Sequence, residues 1–168
     1  MTNLNKENWQ LNKDAIEKIK LFNKIAGSKN EFDIPKINLY TSLVLEEILE
    51  LIDAITLSDV ELETLKEVLE KFRKSFKEGA HTEIVAKALE SKDKRVELLD
   101  AVCDVIVVSA GLGIALGADV QGALHQVCDN NLEKFPIVNG EYTVLRDEHG
   151  KIKKPIGFKS VELNEFVN

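Results

Sequence analysis

The stretch LEEILELIDAI, residues 45–55, places acidic side chains among leucine and isoleucine at the spacing of an α-helix. Glu46, Glu47 and Glu50 are three or four positions apart, so they share one side of that helix. The other positions are mostly apolar, and we expect the helix to be buried apart from this acidic stripe. No Lys or Arg occurs in residues 37–65 that could neutralise the charge locally. The stretch therefore predicts a helix with a chemical role for its carboxylates.

A second acidic stripe lies in VELLDAVCDVIVV, residues 96–108. Glu97 and Asp100 are three positions apart, and Asp104 is one turn further along the same side. No Lys or Arg occurs in residues 96–133. An unpaired buried carboxylate costs several kcal/mol or becomes protonated. This helix, too, is expected to be buried apart from its acidic stripe.

The two stripes would repel each other unless cations lie between them. Hard divalent cations take oxygen ligands, and Mg²⁺ usually binds a few carboxylates together with waters and substrate phosphates. The sequence therefore predicts a metal site between the two helices. A solvated acidic face remains the alternative, because 29 acidic residues in 168 produce such spacings by chance.

The rest of the chain also has helical periodicity. Capping and glycine signals predict helices at residues 5–26, 39–57, 58–77, 82–90, 93–116 and 119–134. Residues 28–38, with Pro35, are predicted to form a loop, and the turn at residues 147–150 predicts a hairpin or extended tail. We therefore predict an all-α fold, an antiparallel four-helix-type bundle with an inserted helical pair at residues 58–90 and a short C-terminal hairpin or tail.

The composition fits one soluble domain over residues 1–168, with core helices to about residue 135 and a basic tail after it. The net charge of −7 argues against a nucleic-acid partner. Cys103 and Cys128 are expected to be buried free thiols in a reducing compartment. The longest apolar run has fourteen residues, fewer than the ~20 that span a bilayer, and the N-terminus lacks a signal-peptide core. We expect a cytoplasmic protein without a membrane partner.

The motif Glu46-Glu47-x-x-Glu50, followed by Glu97-x-x-Asp100 on a second helix, resembles the MazG-like all-α NTP pyrophosphohydrolase superfamily. FNKIAG at residues 22–27 resembles the end of the superfamily's first helix. VCDNNLEK at residues 127–134 and RDEHGKIKKP at residues 146–155 are similar to its branch near phosphoribosyl-ATP pyrophosphohydrolase and dimeric dUTPase. The interval between the two motifs is longer than is usual for the family because of residues 58–90, which leaves substrate specificity open.

The resemblance implies hydrolysis of a nucleoside triphosphate between its α- and β-phosphates. Four carboxylates would bind Mg²⁺, or Mn²⁺ as a substitute: Glu47, Glu50, Glu97 and Asp100. Glu46 would orient or deprotonate the attacking water. Asp104 would be an additional ligand or a group outside the ligand shell.

Substrate contacts are expected from polar side chains near the ends of the chain. Basic side chains suit phosphate oxygens, with solvated charges as the alternative: Lys134, Arg146, Lys151 and Lys154. Asn23 and Asn131 could contact the base or sugar. Phe22 and Trp9 could lie near the base, although core packing is the other interpretation of these two rings.

Two other interpretations stay open. The same metal chemistry would serve a phosphoribosyl-ATP-type pyrophosphohydrolase, and a non-enzymatic dimerisation or regulatory module would use the acidic stripe to bind a basic partner without metal. A ferritin-like di-iron site is disfavoured because it needs two Glu-x-x-His elements, and only Glu78 and His81 fit. The apolar content of the helices predicts a homodimer or tetramer, in which a site could be completed across subunits.

Overall fold

The computed structural model of the chain describes residues 6–29, 31–55, 60–147 and 151–167, with side chains in the first helix from Ala15 onward. Within these residues the chain forms six α-helices: α1 Lys6–Ile25, α2 Ile34–Ile55, α3 Val60–Lys77, α4 Thr82–Leu89, α5 Lys92–Ala115 and α6 Val120–Leu132. Two short strands, β1 Ile137–Val138 and β2 Glu141–Tyr142, and a 3₁₀ turn at Asn164–Phe166 follow. The predicted all-α fold class is confirmed. The side chain of Trp9, the predicted start of the third helix at residue 58 and the turn at residues 148–150 lie outside the described set.

Most helix boundaries agree with the predicted ones to within a residue or two, but α2 begins five residues earlier than predicted. The loop predicted around Pro35 is wrong at this residue, because Pro35 lies in the first turn of α2. Proline is tolerated there because the first backbone N–H groups of a helix have no intrahelical partner. The carboxylate of Asp33 accepts a hydrogen bond from the Lys36 backbone N–H at 3.1 Å and so caps this end.

Local signals end and begin the other helices as expected. Gly79 and Gly117, with φ of 75° and 73°, follow the ends of α3 and α5. The backbone N–H of Gly122 donates to the Asp119 carboxylate at 3.0 Å, which caps α6. Ser91 accepts a longer bond from the Lys94 N–H, at 3.5 Å, before α5.

Within the described part of the C-terminal segment two antiparallel pairings are local, and a third bridge joins Val167 to Ala118. The predicted one is present as an isolated bridge between Arg146 and Ile152. The other, between β1 and β2, was not predicted. Its turn is Asn139-Gly140, and both residues have positive φ, 54° and 83°, as a type I′ hairpin turn requires.

The contacts divide the chain into two compact units. The first comprises residues 1–30 and 104–168, and here α1 packs against α6. Its buried side chains are Ala15, Cys128 and Phe135, and the rings of Phe22 and Phe135 lie with their centroids 4.9 Å apart. The packing of α1 on α6 is therefore the core of this unit.

The second unit comprises residues 31–103, in which α2 packs against α3 and α4. Leu89 is buried, and Asn38 of α2 donates from its amide to the Thr82 hydroxyl at 2.9 Å. Phe76 and His81 stack at 4.8 Å where α3 turns into α4. The predicted inserted pair, α3 and α4, thus covers one side of α2.

Helix α5 differs from every other helix of the described residues. All its residues from Lys92 to Ser109 are exposed, and none of its residues is buried. The prediction that this helix is buried was therefore wrong, and so was the burial predicted for Cys103, whereas Cys128 is buried as expected. By length and composition alone α5 could also cross a membrane, with a mean hydropathy of 2.0 over eighteen residues, a test that core helices of soluble proteins also pass.

Candidate functional site

The acidic stripe of α2 has counter-charges that the sequence did not reveal. Arg73 of α3 lies 3.4 Å from a Glu46 carboxylate oxygen, and Lys66 of α3 forms an ion pair with Asp53. Neither Glu46 nor Asp53 is fully buried, so water screens both ion pairs and each adds little to stability. The expectation that no basic side chain lies beside the acids of α2 was therefore wrong for Glu46 and Asp53.

Arg73 is held in place by a second acid of its own helix. Its Nε and Nη2 donate to the two carboxylate oxygens of Glu70, each at 2.6 Å. These hydrogen bonds raise the pKa of Arg73 and lower the pKa of Glu70. The hydrogen bonds to Glu70 therefore hold the guanidinium close to Glu46.

Glu47 and Glu50 lie on the same side of α2 as Glu46 and are exposed. They are one helical turn apart, so their carboxylates lie along one row. The same side carries Leu43 and Leu51, 39% and 43% exposed. The two predicted metal ligands of α2 are thus accessible carboxylates on an apolar surface.

The stripe of α5 is open to solvent. Glu97 forms an ion pair with Lys94, one turn earlier on the same helix, while Asp100 and Asp104 are exposed. The described structure shows no basic residue of another helix within ion-pair distance of Glu97. This stripe keeps the accessibility that a ligand-binding surface requires.

The structure does not gather the predicted ligands into one cluster. Among the described residues, no three His, Cys, Asp or Glu side chains are close enough to hold a metal ion together. Each stripe nevertheless offers two carboxylates one turn apart and open to water. Such a pair fits Mg²⁺, which uses one or two protein carboxylates and keeps several waters.

Three of the residues predicted near the substrate meet at one place in the first unit. Lys134 Nζ lies 2.7 Å from Asn131 Oδ1 and 6.0 Å from the centre of the Phe22 ring. Phe22 and Asn131 also line a cavity of about 100 Å³ with Lys18, Ile19 and Cys128. Ligand pockets usually measure about 300–1,000 Å³, so this cavity is smaller than a nucleotide needs.

The remaining predicted contacts are more dispersed. Asn23 donates to the Ile19 carbonyl at 2.9 Å, and Arg146 donates to the Ala26 carbonyl at 2.8 Å, so both lie near the end of α1. Lys154 lies 5.2 Å from the Phe158 ring, and Lys151 is exposed. Arg146 is the tail residue that the structure ties to α1.

Sequence reasoning missed a charged cluster between α1 and α6. Lys18 Nζ lies 2.8 Å from His125 Nδ1 and forms an ion pair with Asp129. Nε2 of His125 is buried and has no hydrogen-bond partner among the described residues. His125 and Asp129 are four positions apart on α6, but the partner that completes the cluster lies over a hundred residues earlier in the chain.

No family model, curated protein or solved structure matches the chain. The similarity to the MazG-like superfamily stays a prediction based on the motifs quoted above.

Proposed function

We propose that the protein is a Mg²⁺-dependent nucleoside triphosphate pyrophosphohydrolase that cleaves a (d)NTP to the monophosphate and pyrophosphate. The observation that carries the proposal is the pair of accessible carboxylate sets, Glu47 with Glu50 and Glu97 with Asp100, each one helical turn apart. Exposed carboxylates at this spacing can bind a hydrated divalent cation, which on α5 would replace Lys94 as the counter-charge of Glu97.

These four carboxylates would hold Mg²⁺, or Mn²⁺ in its place. The metal, when bound, neutralises phosphate charge and lowers the pKa of an attacking water. Glu46 lies beside these ligands and would orient or deprotonate that water. Its contact with Arg73 suits the orienting role, because the guanidinium limits the rotamers that the carboxylate can adopt. Asp104, one turn beyond Asp100, would be a further ligand or a group outside the ligand shell.

Several side chains proposed to contact the nucleotide lie in the first unit. Phe22, Asn131 and Lys134 are already in contact, so one aromatic ring, one amide and one ammonium would meet a nucleotide together. Asn23, Arg146, Lys151 and Lys154 would add contacts to base, sugar or phosphates. Arginine and lysine donors suit phosphate oxygens.

The biological role that fits this reaction is sanitation or balance of the cytoplasmic nucleotide pool. A phosphoribosyl-ATP-type pyrophosphohydrolase would use the same carboxylates on a biosynthetic substrate. The panel of substrates in the experiment below distinguishes the two.

A non-enzymatic dimerisation or regulatory module is the second candidate. The exposed apolar surface of α5 favours it, because such a surface is typical of a protein-binding helix. This candidate predicts that no activity depends on metal and that the acidic stripes bind a basic partner.

The test is release of pyrophosphate from a panel of NTPs, dNTPs and phosphoribosyl-ATP, with and without Mg²⁺. Glu47→Ala and Glu97→Ala are each expected to lower kcat/KM by ~100-fold or more, since each removes a ligand of the metal that stabilises transition-state charge. Glu67→Ala is the matched control, because Glu67 is an exposed glutamate of α3 outside both stripes.

Activity that persists in Glu47→Ala and Glu97→Ala would refute the assignment of the site. A second measurement does not depend on choosing the right nucleotide. Mg²⁺ or Mn²⁺ at millimolar concentration should raise the melting temperature of the wild type, because the metal binds the native state, and should raise that of Glu47→Ala less. No shift in the wild type would favour the interaction module, and equal shifts in both proteins would show that the metal binds elsewhere.

A further inference from the structure

The C-terminal segment contains a turn whose apolar tip is fully open to solvent. The backbone N–H of Phe158 donates to the Pro155 carbonyl at 3.1 Å, and Gly157 has a φ of 85°, as a type II β-turn requires at its third position. Ile156 occupies the second position and is 107% exposed, the highest value among the large apolar residues that the structure describes as exposed. A side chain this exposed adds nothing to the core, so its apolar surface is available to another molecule.

The turn is held in place from both sides. Before it, Arg146 and Ile152 form an antiparallel bridge, and the Arg146 guanidinium donates to the Ala26 carbonyl at the end of α1 at 2.8 Å. After it, the Lys159 carbonyl accepts a hydrogen bond from the Asn130 amide of α6 at 2.8 Å. The tip therefore projects from a fixed base in the first unit.

Lysines surround this tip. No Asp or Glu occurs in residues 149–161, whereas residues 151–159, which we name the basic turn, contain four lysines. Lysines elsewhere, such as Lys18 and Lys66, form ion pairs with acids. The four lysines of the basic turn are exposed, and none forms an ion pair with a residue that the structure describes: Lys151, Lys153, Lys154 and Lys159. The basic turn therefore keeps its positive charge.

The negative charge of the chain lies in the other unit. Residues 31–103 contain 17 acidic and 10 basic residues, which accounts for the net charge of −7. The first unit contains 12 of each. Charges further from a surface than one Debye length, about 10 Å at 0.1 M salt, are largely screened from it. The basic turn can therefore approach a negatively charged surface although the whole chain is acidic.

We propose that the basic turn attaches the protein to the surface of an anionic membrane, with Ile156 inserted between the lipids and the four lysines at the headgroups. Attachment of this kind combines burial of apolar side chains at the acyl boundary with attraction of lysine or arginine to anionic lipids. It needs no spanning helix, and it replaces the expectation that the protein has no membrane partner. The attachment does not depend on the proposed enzymatic function.

A lipid surface fits the basic turn better than an acidic protein does. Ile156 lies on a convex tip, for which a protein partner would need a preformed pocket, whereas fluid lipids move apart around it. The charges are all lysines, whose flexible ammonium groups suit a diffuse negative potential. Arginine, whose planar fork suits a defined carboxylate or phosphate, does not occur in residues 147–168.

Helix α5 does not supply this attachment, although it is long, apolar and exposed. Glu97, Asp100 and Asp104 lie along one side of it, and no Lys or Arg occurs in residues 96–133. Anionic lipids repel such a helix. A substitution in α5 therefore provides a control for the experiment below.

The test is sedimentation of the full chain with lipid vesicles. Binding is expected to vesicles of an equal mixture of phosphatidylcholine and phosphatidylglycerol, and not to vesicles of phosphatidylcholine alone. Salt at about 1 M should release most of the protein, because the Debye length falls to about 3 Å. Equal binding to both kinds of vesicle, or binding to neither, would refute the attachment.

Substitutions in the basic turn separate its apolar and charged contributions. Ile156→Ser should weaken binding to the mixed vesicles by about 10-fold, since it removes the side chain that becomes buried. Lys153→Gln combined with Lys159→Gln should weaken it by about 10-fold or more, since each lysine is attracted to the anionic surface. These three residues are outside the proposed substrate contacts. Because they are exposed, the helical circular dichroism of the variants should equal that of the wild type.

Matched controls lie on other helices. Ile84→Ser on α4, where the isoleucine is 70% exposed, and Lys71→Gln combined with Lys77→Gln on α3 should leave binding unchanged, as should Ile106→Ser on α5. A loss in Ile106→Ser as large as in Ile156→Ser would place the contact on α5 and overturn the proposal. Equal losses from the two lysine pairs would overturn it as well, because binding would then depend on net charge alone.

Insertion of the tip is measured with a fluorophore. Ile156→Cys in a Cys103→Ser background is labelled with a polarity-sensitive dye, while Cys128 stays buried. Its emission should shift to the blue on the mixed vesicles, whereas the same dye on Ile84→Cys should show no shift. Sedimentation without a blue shift would mean that the tip stays in water, and a blue shift with soluble poly-glutamate would identify an acidic polypeptide as the partner. Either result would overturn the proposal.

Discussion

Helices α5 and α6 follow each other in the chain and differ in what covers them. Helix α6 is the shorter, with polar residues over much of its length, and it packs against α1 around the buried Cys128. Helix α5 has 24 residues and a long apolar run, but none of its residues is buried. Burial in this chain therefore depends on whether a helix has a partner, and apolar content alone does not predict it.

The difference indicates where another molecule is needed. Exposed apolar side chains scattered over a surface are normal, but a whole helix of them is typical of an interface. The contrast between the covered helix α6 and the exposed helix α5 can be measured with three pairs of residues. One member of each pair lies near α6 and the other lies on or beside α5.

The largest effect is expected from truncation of an apolar side chain in each region. Phe135 is 2% exposed and stacks on Phe22, so Phe135→Ala should lower the free energy of unfolding by about 3–5 kcal/mol. Ile106 is 59% exposed and lies on the side of α5 opposite its acidic stripe, so Ile106→Ala should change it by less than about 0.5 kcal/mol. Urea denaturation of both variants measures the two values, and similar losses would show that α5 is covered all round.

The sequence predicted the helices well because their boundaries are set by neighbouring residues. Gly79, Gly117 and Asp119 act on the helix next to them, so periodicity and capping rules were enough. Pro35 was misinterpreted because the same residue breaks a helix interior and begins a helix. The Asn139-Gly140 turn carried a clear hairpin signal that was not used.

The candidate site was less predictable because its partners are distant in the sequence. The spacing of Glu46 and Glu50 placed both on one helix, but nothing near them indicated that Arg73, on another helix, would pair with Glu46. The contact of Lys18 with His125 joins residues 107 positions apart. The exposure of α5 depends on the absence of a packed neighbour among the described residues, which no local pattern encodes.

A smaller effect is expected from removal of the two N-terminal caps. The Asp119 carboxylate accepts from the Gly122 N–H at 3.0 Å, whereas the Ser91 hydroxyl lies 3.5 Å from the Lys94 nitrogen. Asp119→Ala should therefore lower the free energy of unfolding by about 1 kcal/mol, and Asp119→Asn should restore most of it. Ser91→Ala should cost clearly less. The measurement is again urea denaturation, and an equal or greater loss for Ser91→Ala would mean that α5 contributes as much as α6 to the cooperative fold.

The smallest effect on stability concerns the two thiols, one exposed and one buried. Burial raises the pKa of the Cys128 thiol, an effect that Lys18 partly offsets, whereas Cys103 is exposed. Because the thiolate is the reactive form, Cys103 should react with a disulfide reagent at pH 8 well before Cys128. Cys103→Ser should leave only the slow reaction, and denaturant should make both fast.

The raised pKa of Cys128 also makes stability depend on pH. Its contribution to stability is complete below the ordinary value of 9.0. The contribution is lost as the pH rises through the higher folded value, since the unfolded chain loses that proton first. Cys128→Ser should remove this alkaline decline, and a decline that persists unchanged would assign it to other groups.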